Sequence, residues 1–211
     1  MGGTMTAESL SEPASEGKPA RSSKRVWPVP PPGGWTVDHL FSLPDLPPHT
    51  ELIDGSLVFV SPQRSFHTLT MYLLEAGLRS TVPGDLRVRR EMTVVIDKRQ
   101  GPEPDISVVR AEAVSGGEET HYPVADVVLA VEVVSPDSES RDRERKPELY
   151  AKGGIPHFWR IEQSEDGRPA VYVYELDPAT GAYVSAGVHH DRLKLSVPFT
   201  VDIDLSAIED M

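Results

Sequence analysis

A mixed α/β (α+β) domain, with a central mixed β-sheet flanked by helices, is what this sequence predicts. Three observations carry the reading: short apolar runs of strand length outnumber helical stripes, one long stripe recurs at helical spacing, and residues 126–134 are apolar on both faces. A strand apolar on both faces is a central one, covered on each side.

The elements follow in order. Residues 1–33 are Ser, Glu, Ala and Pro with almost no large apolar side chains and end in VWPVPPPGG, which predicts a disordered, Pro-rich tail before a single domain over 34–211. TVDHLFSLP reads as a short helix capped by Thr36 and stopped before Pro44. ELIDGSLVFV is a hairpin, because Asp54-Gly55 between apolar runs is the strongest two-residue turn signal. Residues 61–81 form a helix whose stripe runs through Phe66, Leu69, Leu73 and Ala76, widened by Leu74 and Leu78. LRVRREMTVVID alternates as one strand, with Arg90 alone breaking its apolar face. PDISVVR, DVVLAVEVV, HFWRIE, AVYVYELD and LKLSVPFTVDIDL are further strands, and a second helical region lies near Pro147–Lys152, stopped by glycines.

Composition narrows the function. The chain has no cysteine, which excludes disulfides, thiolate zinc sites and cysteine nucleophiles; any metal is a hard ion held by oxygen or imidazole. With no apolar run of about 18 residues and no secretory leader, neither a membrane span nor export is expected, and the protein is read as cytoplasmic. Arg outnumbers Lys 15 to 6, as in GC-rich bacterial genes. Four basic and three acidic residues fall in 1–33, so the remainder holds 17 basic and 30 acidic residues and a net charge of −13. Coating nucleic acid by bulk electrostatics is excluded; binding phosphates needs a local basic patch or metal ions.

Glu132 stands inside the apolar strand, where an unpartnered carboxylate costs several kcal/mol or protonates. It calls for a cation. Arg90, also out of pattern, is one candidate. Asp105 is a second anomaly, following Pro104 at the start of a strand and facing away from Ile106 and Val108. If the two strands are neighbours, Asp105 and Glu132 converge, and a divalent ion between them relieves their repulsion; Mg²⁺ suits one or two carboxylates. The plainer alternative is that Pro104-Asp105 is only a strand-entry turn.

Pro-Asp followed by a Glu in a hydrophobic strand resembles the skeleton of the PD-(D/E)XK nuclease superfamily. The segments ELIDGSLVFVSP, GPEPDISVV, AVEVVSPDS and RDRERKPELYAKGGIPHFWRIE, in that order, resemble the Uma-type putative restriction endonuclease family over about residues 35–205. The resemblance implies a restriction-endonuclease-like fold and Mg²⁺- or Mn²⁺-dependent hydrolysis of DNA phosphodiesters. It makes Asp105 and Glu132 metal ligands and lends the Val133 carbonyl to the same ion. The superfamily's lysine, two residues after the Glu, is here Val134, a departure. In Uma-type relatives a lysine on the following helix substitutes, which points to Lys146. Pro147 is favoured as a first helical residue, so Lys146 is expected beside a helix N-terminus, although SESRDRERK also reads as a solvated charge run.

Glu51 matches a recurrent family acid and His67 a recurrent histidine. Glu103 and Glu91 add charge near the metal, and Arg90 pairs with Glu132 or grips a phosphate. Arg87, Arg89, Arg141, Arg143 and Arg145 are candidate backbone contacts. DNA is the expected partner and a homodimer the expected assembly to test, with no membrane partner. Two rival readings stand beside the enzyme: a nuclease fold kept as a non-catalytic binding or scaffolding module, and a metal hydrolase of small phosphoesters.

Overall fold

A computed structural model describes residues 28–211, and most of the expected tail lies outside the described residues. A six-stranded mixed sheet forms the centre. Its members are β3 (Leu86–Arg90), β5 (Ile106–Arg110), β7 (Val127–Val133), β8 (His157–Gln163), β9 (Pro169–Asp177) and β10 (Ala182–His189), in the order β10-β9-β8-β7-β5-β3. The β7–β8 pair is parallel and its connection carries a helix, as a parallel crossover requires; the other pairs are antiparallel. β7 lies between β5 and β8, the central place its two apolar faces predict.

One face is covered by α2 (Ser65–Thr81) and the pair β11 (Arg192–Leu195) and β12 (Val201–Asp204), the other by α3 (Lys146–Lys152). Alternation along β7 divides its side chains: Leu129, Val131 and Val133 join the cluster under α2, while Ala130 joins the cluster with Tyr150 and Phe158 on the α3 side. Glu132, sharing parity with Ala130, therefore points toward α3. α2 lies so close to β12 that a methyl on Gly77 would come within 2.4 Å of the Ile203 side chain.

The smaller elements hold one end of the sheet. α1 (Val37–Ser42) begins at Thr36 and ends at Leu43, as expected. β1 (Glu51–Ile53) and β2 (Ser56–Val58) pair through Ile53 and Ser56, leaving Asp54-Gly55 as the loop; both have positive φ, 54° and 74°, the primed-turn geometry. Leu52 and Gly101 exchange backbone hydrogen bonds of 3.0 and 2.8 Å, docking the hairpin on the segment before β5. β4 (Thr93–Val95) and β6 (His121–Pro123) form a short parallel pair.

Four expectations need correction. Residues 86–97 are two strands in different sheets, because Glu91 turns the chain with a φ of 50°. The buried side of α2 carries His67, Thr70, Met71, Leu73, Leu74 and Leu78; Ala76 is exposed, since two polar residues face inward where apolar counting looks past them. LKLSVPFTVDIDL is the β11–β12 pair rather than one strand, and β10 is an edge strand whose small, weakly alternating residues give little signal.

The fourth concerns SESRDRERK. Residues 139–152 run as one helix through a π-helical turn at Arg141–Arg145, so Lys146 lies inside the helix and not at its N-terminus. The amide of Lys146 donates to the Arg141 carbonyl, five residues back. Widening the turn gives the Pro147 ring room where an α-turn would drive it into a carbonyl.

Candidate active site

The N-terminal end of β5 and the C-terminal end of β7 meet at one end of the sheet. Here Asp105 Oδ2 accepts the Val133 amide at 2.6 Å, which fixes the aspartate beside the residue that follows Glu132. Its Oδ1 lies 3.1 Å from Nε2 of His67, a residue 4% exposed in the first turn of α2.

Glu132 is 1% exposed. Its Oε2 accepts from Nζ of Lys146 at 2.9 Å and its Oε1 from the Tyr150 hydroxyl at 2.5 Å. The same ammonium is 2.8 Å from Oε1 of Glu51 and 3.4 Å from Oδ1 of Asp142. Asp142, Lys146 and Tyr150 recur every four residues and so share the helix face turned to the sheet. Ser138 donates to the other oxygen of Asp142. Glu51 is buried on β1, held by the docked hairpin, with its Oε1 accepting the Glu103 amide at 2.9 Å. Arg145 reinforces the docking through Asp54, at 2.5 and 2.9 Å.

Three carboxylates around one ammonium in a dry site cannot all ionise freely. Burial pushes Glu132 well above the usual carboxylate range, with Lys146 pulling it back, and burial likewise raises Asp142. Burial works against the Lys146 charge, yet Glu132, Glu51 and Asp142 outweigh it and hold its pKa well above the ordinary lysine value.

The cluster forms the floor of a cavity of about 410 Å³ lined by Glu51, Glu91, Glu103, Asp105, Glu132 and Asp142, against Lys146 and Arg141, with His49 and His67 at its sides. On the rim, Nδ1 of His49 is 2.6 Å from Glu103 and 3.9 Å from Glu91. His49 and Glu91 both hold left-handed backbone, φ 57° and 50°, a conformation costly for side chains of this kind and frequent at functional sites.

The structure thus brings together Asp105, Glu132, Val133, Lys146, Glu51, His67 and Glu103. It does not bring Arg90, which lies 3.1 Å from Glu91 and 3.7 Å from Glu75 and does not meet Glu132; the carboxylate's cation comes from α3 instead. Arg143 is engaged by Glu162 and Glu139, Arg145 by Asp54 and Glu148, and Arg89 by the Tyr122 hydroxyl. Sequence reasoning missed Asp142, Tyr150 and His49. The first two were within reach of a four-residue periodicity counted from Lys146; His49, on an irregular segment, left no pattern.

Among the described residues no three His, Cys, Asp or Glu side chains gather as a metal cage. Asp105 and Glu132 carry the oxygen donors that a hard divalent ion prefers, and here those oxygens meet Val133, His67, Lys146 and Tyr150.

The fold has a counterpart among solved structures. The chain superposes on the crystal structure of a putative nuclease belonging to DUF820 from Anabaena variabilis, with a TM-score of 0.61 and 18% identity, over 83% of this chain and 97% of that one. The two proteins share their fold. Residues 37–207 match the family described as "Putative restriction endonuclease" (Uma2), and the chain belongs to that family. No curated protein matches it. Among the described residues no helix is long and apolar enough to cross a membrane.

Proposed function

We propose that the protein is a metal-dependent endonuclease that hydrolyses DNA phosphodiester bonds. The observation that carries this reading is the meeting of Lys146 with Glu132 at 2.9 Å, beside an Asp105 tied to the Val133 amide. Position 134 carries no lysine, and the ammonium that reaches the Glu132 carboxylate comes from α3 instead.

Asp105 and Glu132 would hold Mg²⁺ or Mn²⁺, with the carbonyl of Val133 on the β5 side where its amide already points. Bound there, the ion would polarise the phosphate and lower the pKa of its water. Lys146, held charged by three carboxylates, does not accept a proton; its ammonium orients the attacking water and offsets charge developing on the phosphate. Glu51 aligns that ammonium from the hairpin, and His67 orients Asp105.

One observation favours a non-catalytic nuclease-fold module: the Lys146 ammonium sits 2.9 Å from Glu132 and 2.8 Å from Glu51, occupying with its own charge the acids a metal would use. Supercoiled plasmid incubated with Mg²⁺ or Mn²⁺ separates the two readings. On the enzyme reading the wild type nicks or linearises the plasmid, while Asp105→Ala and Glu132→Ala each lower the rate by at least about 100-fold, the usual scale for loss of a group that organises charge at the reacting centre. Equal turnover by all three proteins, or none by the wild type with either ion, sinks the enzyme in favour of the module.

A further inference from the structure

The acidic cavity cannot by itself retain a polyanion, so the position of unpaired positive charge beside it matters. Among the described residues the side chains of Arg64 and Arg141 make no ion pair or hydrogen bond, and both border a cleft that opens from the cavity. The cleft consists of two hollows of about 150 and 190 Å³ that share Arg64, Ser135 and Pro136; the first also shares Ser61, Gln63, Ser138 and Arg141 with the cavity. Its walls are the segments 59–64 and 134–141, which follow the hairpin and β7.

Two further features point to an anion there. Nε of Arg141 is buried and has no hydrogen-bond partner, an unmet donor. The second hollow also abuts the start of the 17-residue α2, whose first turn has no side-chain cap, so its amides are open. Opposing acids are few: Glu139 and Glu162 are both engaged by Arg143, leaving exposed Asp137 at the rim.

We propose that this cleft is a phosphate subsite, gripping a backbone phosphate of the DNA strand next to the one presented to Asp105 and Glu132. The identity of the ligand as DNA rests on the nuclease reading. Arg64 and Arg141 supply the charge and the α2 amides the directional donors. The subsite also accounts for how a protein of net charge −12 holds a polyanion over six carboxylates.

The test is fluorescence anisotropy of the full-length protein with a labelled DNA oligonucleotide in EDTA, across a salt series. Arg64→Ala/Arg141→Ala weakens binding about tenfold or more and flattens the slope of log affinity against log salt by about 0.9, the value for one phosphate contact. Arg110→Ala, an exposed arginine at the far end of β5 from Asp105, leaves both unchanged. Arg64→Gln and Arg141→Gln singly give smaller losses, which covers a double variant that fails to fold. Variants that bind like the wild type overturn the subsite. So does an equal loss in Arg110→Ala, which means bulk charge only, and so does a wild-type protein that binds no DNA in EDTA. The nuclease reading fails separately: wild-type protein that shows the arginine-dependent binding but cleaves nothing refutes catalysis and leaves the subsite standing.

Discussion

The two halves of the acidic cavity are built on opposite physical terms. On the α3 side Glu132, Lys146, Asp142 and Glu51 are all at most 4% exposed and satisfy one another across distances of 2.8 to 3.4 Å. On the hairpin side His49 is about half exposed and meets Glu103 and Glu91 at the water's edge. In the dry half charges depend on each other because nothing else solvates them; in the wet half water can replace any partner. One cavity therefore combines a rigid floor, fixed by desolvated ion pairs, with a rim whose charges remain free to titrate. A rigid floor suits groups that position a reacting centre.

The largest test of that contrast is Lys146→Met. Removing the cation leaves three buried carboxylates without it, and loss of one partner from a buried pair costs about 3–5 kcal/mol, read as a fall in chemical-denaturation stability. Adding Glu132→Gln to Lys146→Met should recover part of the loss, because it removes one stranded charge. A Lys146→Met protein as stable as the wild type would mean that water reaches the floor. Tyr150→Phe is the intermediate case: the ring stays packed beside Phe158, and only the hydroxyl bond to Glu132 is lost. A hydrogen bond to a charged group contributes about 1.5–3 kcal/mol, and thermal and denaturant unfolding should both report a loss in that range.

The same contrast explains what could be read from the residues alone. Glu132 was visible because a carboxylate in an apolar strand violates its surroundings, and Asp54-Gly55 because a primed turn demands left-handed backbone. Asp105 was visible as a misfit, and its convergence with Glu132 needed only that β5 and β7 be neighbours. Only resemblance points to Lys146, and its setting defies local rules: Pro147 marks a helix start, yet a π-helical turn lets the helix pass through it. That turn is a property of the packed helix, in which Asp142 and Lys146 face the sheet, and an alternating charge run does not encode which of its members will be buried. The rim was hidden for another reason. Glu91 and His49 adopt left-handed backbone that neither residue type announces, and the inward-facing His67 and Thr70 on α2 break the apolar count that defines a helix face.

The smallest expected effect belongs to the rim, and its sign can be worked out. Burial would lower the pKa of His49, but the hydrogen bond and charge of Glu103, aided by Glu91, outweigh it and leave the imidazole above its ordinary 6.5. A group with a raised folded pKa contributes stability that is fully present below its unfolded value and lost as the pH rises through the folded one. The His49–Glu103 pair should therefore matter below pH 6.5 and fade as the pH rises through the folded His49 value, and it is lost again in acid where Glu103, its own pKa raised by burial, takes up a proton. Glu103→Gln removes the charge while keeping a side chain of similar shape. In an NMR titration the His49 midpoint should then fall toward or below 6.5, while the stability change at pH 6 stays under about 1 kcal/mol, as for exposed ion pairs. A midpoint unmoved by Glu103→Gln would show that water, and not Glu103, sets the charge of His49, and the rim would be looser still than the contrast with Lys146 implies.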